Sequence, residues 1–228
     1  MPTDESLAYP VIVVMAKQPV VGKTKTRLSP PLEPTEATAL YEAMLRDTID
    51  LVARLPGIQL AIAITPPDAV GAFRSISPPG ATLLPVCGTD IGDCLHQILG
   101  GILVDGHPKA IAIDSDSPTL PAAHLREAVD LLDRTDVVIG PSEDGGYYLI
   151  GLKRPQPDLF RDIAWSTKEV TGQTVARAQT LGLSVALLPA WYDVDMAADL
   201  DRLRRELATL PEDALPHTRG ALRDIRSE

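Results

Sequence analysis

The segment Lys17-Gln18-Pro19-Val20-Val21-Gly22-Lys23-Thr24-Lys25-Thr26-Arg27-Leu28 holds four cations, Lys17, Lys23, Lys25 and Arg27, in a stretch with no acidic residue from Ser6 to Leu32. Cations gathered without balancing carboxylates attract an anion. Lysine supplies a mobile point charge, arginine a planar fork that fits phosphate oxygens, and Gly22 permits close approach of the backbone. A solvated basic loop is the plain alternative, but it does not explain why the cluster directly follows an apolar run. Gly22-Lys23-Thr24 looks like the end of a G-x-x-x-x-G-K-[ST] phosphate loop, yet Lys17 stands where the first glycine belongs, which argues against that loop.

Asp114-Ser115-Asp116 follows the apolar run 110–113. Two carboxylates one residue apart at a strand end can share a hard cation such as Mg²⁺, with phosphate oxygens and water completing its shell. An Asx-turn before a helix is the structural alternative. Asp193-Val194-Asp195 forms a second acidic pair, in which Asp195 suits either a helix N-cap or a further metal ligand. Gly140-Pro141-Ser142-Glu143-Asp144-Gly145-Gly146-Tyr147 reads as a hairpin turn, or as a place where Gly145 and Gly146 let a substrate lie on the backbone while Asp144 or Glu143 accepts a proton. The hydroxyls of Trp165-Ser166-Thr167 cap the following helix, contact substrate, or do both.

Such residues need a scaffold that brings separate loops to one end. Short aliphatic runs at 11–15, 60–64, 82–86, 110–113, 137–139, 147–151 and 184–188 alternate with amphipathic stretches at 35–55, 68–75, 92–104, 122–132, 168–181 and 196–207. This is the pattern of βα units around a mainly parallel sheet. Ligands of such sheets bind beyond the carboxyl ends of the strands. A chain of 228 residues fits one such domain. Residues 1–210 are expected to form it. The apolar rhythm fades after Leu210, which predicts a loosely ordered tail over 211–228.

With 31 acidic against 21 basic side chains the net charge is −10, which disfavours nucleic acid as a partner. No apolar run approaches the ~20 residues that span a bilayer, and Asp4 and Glu5 stand where a signal peptide would be basic, so the expected location is the cytoplasm. Cys87 and Cys94 match no zinc or redox spacing and read as packing residues.

The ordered blocks Lys17-x-Pro19-x-x-Gly22-x-x-Lys25-Thr26-Arg27-Leu28, Asp114-Ser115-Asp116-x-Pro118, Gly140-Pro141-x-x-Asp144-Gly145-Gly146-Tyr147, Trp165-Ser166-Thr167 and Asp193-Val194-Asp195 resemble the DUF2064 family over about residues 9–205. That family is placed in the nucleotide-diphospho-sugar transferase superfamily. The resemblance implies a single GT-A or Rossmann-like domain, a three-layer α/β/α sandwich with a mainly parallel mixed sheet. It implies a nucleotide or nucleotide-sugar donor, a small acceptor, and Mg²⁺ or Mn²⁺ on Asp114, Asp116 and Asp195. Lys17, Gly22, Lys23, Lys25, Thr26 and Arg27 would meet phosphate. Gly145, Gly146, Tyr147, Trp165, Ser166 and Thr167 would meet substrate, and Asp144, Lys25 and Arg27 would act in catalysis.

The basic loop is also similar to that of 2-phospholactate guanylyltransferases and molybdenum-cofactor nucleotidyltransferases. The expectation is glycosyl transfer from a nucleotide sugar, favoured by the D-x-D pair. The alternative is nucleotidyl transfer from an NTP to a phosphorylated small molecule, favoured by the four cations. A nucleotide-binding protein without turnover is the third reading, disfavoured because the acidic and basic sets are both complete.

Overall fold

The computed structural model describes residues 6–225. Its first strand, β1 (Val11–Lys17), shows why the chain makes three layers. Successive side chains of a strand point to opposite faces, so Ile12, Val14 and Ala16 enter one apolar core while Val11 and Val13 enter another. A strand buried on both sides reads as a continuous apolar run.

Among the described residues six further strands follow: β2 (Gln59–Thr65), β3 (Thr82–Pro85), β4 (Ala110–Ile113), β5 (Val137–Pro141), β6 (Tyr147–Leu152) and β7 (Val185–Leu187). They form one sheet in the order β3-β2-β1-β4-β6-β5-β7. Only β6 runs antiparallel to its neighbours, β4 and β5. The fold is therefore the mixed, mainly parallel α/β sandwich that the alternating pattern predicts.

The helices are α1 (Pro34–Ala53), α2 (Val70–Phe73), α3 (Ile91–Val104), α4 (Ala122–Leu131), α5 (Val170–Thr180), α6 (Ala197–Leu207) and α7 (Pro216–Asp224). Leu40 and Met44 of α1, Leu125 of α4 and Leu203 of α6 pack on Ile62, Ile64, Ile111 and Ile113. On the other face Leu95 and Leu99 of α3 meet Ala61, Ala63, Ala110 and Ala112. Alanines of β2 and β4 share the core with α3, while isoleucines of the same strands share the other core with α1. Pro34 opens α1 at its first turn, where Glu36 accepts from the N–H of Glu33 at 2.8 Å.

The segment after α6 differs from expectation, residues 226–228 of the expected tail lying outside the described residues. Residues 211–225 are not a loose tail: α7 packs on α1, and Ile225 is buried. Asp47 of α1, itself buried, accepts from the backbone N–H of His217 at 3.2 Å and Thr218 at 2.7 Å, satisfying donors of the first turn of α7. Arg219 donates to the carbonyls of Leu207, Leu210, Pro211 and Ala214, which folds the connection back on α6. Weak apolar patterning hid this segment because polar bonds hold much of it.

The order of the sheet fixes where a ligand can sit. From β1 the chain winds outward through β2 and β3, then returns to place β4 on the other side of β1. The loops after β1 and β4 thus diverge at a switch point and leave a crevice between them. No helix among the described residues is long and apolar enough to cross a membrane.

Candidate active site

Both loops at the switch point carry charges singled out above, and Lys25 of the first pairs with Asp116 of the second. Thr24 is buried; its hydroxyl accepts from the N–H of Val20 at 3.0 Å and donates to the carbonyl of Gln18 at 3.3 Å. That anchors the loop after β1 and uses up the hydroxyl that a phosphate loop would keep for a metal. Gly22 serves the turn through its positive φ of 74°, with open space around it rather than a close approach. Lys25 adopts φ 51°, ψ 41° ahead of a short 3₁₀ turn, Thr26–Leu28, whose Leu28 is buried.

From that anchor the Lys25 ammonium reaches Asp116 Oδ2 at 2.9 Å and Asp195 Oδ1 at 3.3 Å. Arg27 donates to Asp195 Oδ2 at 2.9 Å. Burial, the strongest single influence on Lys25, works against its charge, but Asp116 and then Asp195 and Asp193 outweigh it and raise its pKa. Burial likewise opposes ionisation of Asp195, and Arg27 and Lys25 overcome it, so that its carboxyl lies below the usual range. Lys17, Lys23 and Thr26 are exposed on the same loop. Neither of those lysines forms an ion pair among the described residues.

The acidic side is built more tightly. Asp114 Oδ2 accepts from Ser117 Oγ at 2.9 Å, and Oδ1 accepts from the N–H of Asp116 at 3.3 Å, so the Asx-turn is real. Burial and then the nearby Asp116 push the Asp114 carboxyl up to about 8. Asp193 is raised as well, by burial first and Asp144 second, and Ser142 donates to it at 3.3 Å. The N–H of Val194 donates to the carbonyl of Asp116 at 2.9 Å, laying the two acidic segments side by side.

Asp195 is not the cap of α6. Asp199, in the first turn of the helix, accepts from the N–H groups of Asp195 and Met196 at 3.1 and 2.7 Å, which leaves the Asp195 carboxylate for the cations.

Asp114, Asp116 and Asp195 do not converge as a ready cage: among the described residues no three carboxylate, His or Cys side chains gather to hold a metal. Lys25 stands between the last two. Asp116 Oδ1 is nevertheless buried without a hydrogen-bond partner. An orphaned carboxylate oxygen beside a second carboxyl fits a hard cation that takes one or two protein oxygens and finds the rest in phosphate and water.

A cleft of about 580 Å³ adjoins this cluster, lined by Arg27, Ile91, Asp144, Gly146, Tyr147, Trp165, Ser166, Thr167, Lys168 and Val170. The substrate candidates of the β5–β6 turn and of residues 165–167 therefore come together, with Arg27 joining them to the phosphate-facing loop. Trp165 lies over Gly92 of α3, where a Cβ would stand 2.6 Å from the ring, and meets Tyr147 edge-on at 6.3 Å.

Gly145 has a role different from the substrate approach expected of it. Its φ is 97°, and a Cβ there would fall 2.2 Å from the carbonyl oxygen of Lys168. The chain's own backbone fills that space. Gly145 also accepts from the N–H of Thr171 at 3.0 Å, holding the turn on the first turn of α5. Thr167 Oγ1 donates to Ala164 O at 2.7 Å and accepts from the N–H of Glu169 at 3.3 Å, a local turn before α5. Ser166 lines the cleft at φ 63°.

Asp144 is exposed at the cleft, one oxygen accepting from the N–H of Gly146 at 2.9 Å. Glu143 is held instead by Arg202 in a bidentate pair at 2.7 and 3.0 Å, with the guanidinium 3.8 Å over the Tyr192 ring.

Sequence reasoning missed the support of Tyr41. Its buried hydroxyl accepts from the N–H of Lys17 at 2.9 Å and pairs with Ser115 Oγ at 3.1 Å, bolting the loop after β1 to the loop after β4. Nothing local to α1 signals this. Lys168 and Ile91 were likewise invisible as lining residues.

The sequence over residues 48–167 matches the family model described as "Uncharacterized protein conserved in bacteria (DUF2064)". The chain belongs to the DUF2064 family. This DUF2064 protein is 30% identical over 184 residues to a 2-phospho-L-lactate guanylyltransferase of Methanothermobacter thermautotrophicus, covering 78% of each chain. It is 28% identical to a phosphoenolpyruvate guanylyltransferase of Nocardia farcinica, covering 90% of this chain and 88% of the other. A crystal structure from Desulfovibrio desulfuricans, provisionally described as a nucleotide-diphospho-sugar transferase, superposes with a TM-score of 0.88 at 31% identity over 95% of both chains. With such relatives over most of its length, this DUF2064 protein is a transferase.

Proposed function

We propose that this DUF2064 protein is a nucleotidyltransferase that joins an NTP to a phosphorylated small acid with release of pyrophosphate. The observation that carries the reading is the paired placement of Lys25 and Arg27 at the switch point, buried charge on one side and the open cleft on the other. Two guanylyltransferase relatives support it over glycosyl transfer, the reading favoured from sequence, and make guanosine the first base to try.

The residues divide the work by position. Lys25 and Arg27, with Lys17 and Lys23 on the same loop, meet the triphosphate. An acceptor phosphate is already anionic, so its oxygen needs no base to attack the α-phosphorus. The new P–O bond forms as the bond from the α-phosphorus to the bridging oxygen breaks, and pyrophosphate leaves with the electron pair. The cations are set before reaction to receive that charge. Tyr147, Trp165, Ser166 and Thr167 line the cleft that would take the acceptor. Asp116, with Asp114 and Asp195 beside it, would hold Mg²⁺ or Mn²⁺, which when bound supplies neutralisation of phosphate charge.

Glycosyl transfer is the second reading, favoured by the likeness to the Desulfovibrio structure. There Asp144, at the cleft, would take the proton of an acceptor hydroxyl. Incubation with Mn²⁺, GTP and either 2-phospholactate or phosphoenolpyruvate, followed by assay of pyrophosphate, separates the two. Nucleoside diphosphate released from a sugar nucleotide, with no pyrophosphate from any NTP, would overturn the nucleotidyl reading. Asp144→Asn adds a check: turnover should survive in nucleotidyl transfer and fall by roughly 10²–10⁴ in inverting glycosyl transfer.

A further inference from the structure

The place between the two acidic segments, where a divalent cation would find its carboxylates, is already held by a cation of the chain. Lys25 Nζ stands 2.9 Å from Asp116 Oδ2 and 3.3 Å from Asp195 Oδ1, and its side chain is only 5% exposed. Arg27 takes the other oxygen of Asp195 at 2.9 Å. Asp195 thus has both oxygens paired, and Asp116 keeps one buried oxygen free. No ready three-ligand metal group remains among the described residues. Two cations within a few ångströms of each other in a half-buried site repel strongly, so an ammonium and a metal ion compete for these carboxylates.

We propose that Lys25 is a resident counter-ion that keeps Asp116 and Asp195 closed to a divalent cation until a polyphosphate draws its ammonium away, so that metal and nucleotide enter together. This rests on the reading of the site as a nucleotide site. The loop backbone is anchored by Thr24 and by buried Leu28, so the motion belongs to the flexible four-carbon stem of Lys25 rather than to the chain. A triphosphate offers that ammonium more negative charge than the carboxylates it leaves. Coupling of this kind is reciprocal: nucleotide raises metal affinity by the factor by which metal raises nucleotide affinity.

The probe is Mn²⁺ alone, with free ion counted by electron paramagnetic resonance in the full chain without nucleotide. Wild type should bind weakly. Lys25→Met should bind roughly tenfold tighter or more, Lys25→Arg should stay near wild type, and Asp116→Asn added to Lys25→Met should erase the gain. Equal Mn²⁺ affinity in wild type and Lys25→Met overturns the proposal. So does a Lys25→Met chain that stays unfolded both in chelator and in millimolar Mn²⁺, since the metal is argued to replace the ammonium. Absence of pyrophosphate release in the assay above would sink the nucleotidyl reading while leaving these Mn²⁺ affinities as they are.

Discussion

Arg27 is the residue where the phosphate-facing loop and the cleft meet. It pairs with Asp195 and lines the cleft, and Asp144 and Asp193 also favour its charge. Arg27→Ala should weaken a nucleoside triphosphate by roughly tenfold while barely changing a nucleoside, as expected for a charge-assisted phosphate contact. Equal loss for both, measured by calorimetric titration, would mean that the loop had collapsed. Asp114 gives a pH prediction. Its carboxyl is pushed up to about 8 in the folded chain, whereas an unfolded aspartate titrates near the ordinary ~3.9. Between those values the folded state binds the extra proton, so stability is greatest below about pH 4 for this group and is lost as pH rises towards 8. The loss should not exceed about 1.4 kcal/mol per pH unit, the limit for one proton. Thermal unfolding of Asp114→Asn in chelator should lack this component. The signs and spacing of these residues were legible in the sequence; the burial that shifts Asp114 was not.

At the scale of elements, two joints decide whether the site holds its shape. The β5–β6 turn seats on the start of α5 through Gly145, so Gly145→Ala meets both a positive φ and the Lys168 carbonyl. It should cost more than about 1 kcal/mol of stability and weaken acceptor binding more than triphosphate binding, because the cleft rather than the cationic loop is disturbed. Unfolding curves and separate KM values for the two substrates test this. The second joint is between α1 and α7. Asp47→Ala leaves the N–H groups of His217 and Thr218 without their acceptor, and should lower stability by about 1–3 kcal/mol with kcat near wild type. A neutral result would return residues 211–225 to the loose tail that composition implies. The elements of the sheet were readable because each is a short apolar run. The helix α7 was not, because its docking depends on a carboxylate from a helix 170 positions earlier.

For the whole molecule, the net charge opposes an anionic ligand while the loop after β1 attracts it. A net charge of −10 repels polyphosphate at long range, while the loop after β1 presents its cations at the switch point. Binding should therefore be local and specific. At about 100 times its dissociation constant, the nucleotide used by the enzyme should add about 2.7 kcal/mol to the stability of the folded chain, so a thermal-shift panel with Mn²⁺ ranks the bases. A panel without any shift would remove the nucleotide reading.

The sequence by itself determined the order of the strands and of helices α1 to α6 and the sign of charge on each loop, because these follow from side-chain period and residue type along contiguous stretches. It also determined that cations follow β1 and carboxylates follow β4. Only the tertiary structure decided which charges meet. Lys25 and Asp195 lie 170 positions apart, and nothing local in either segment specifies the other. Their pairing arises because the sheet order sets β4 beside β1 and the bond from Val194 to Asp116 carries Asp195 to the same edge. The same long-range closure turned Tyr41 into a strut, committed Glu143 to Arg202, and made the space beside Gly145 a contact with the chain itself.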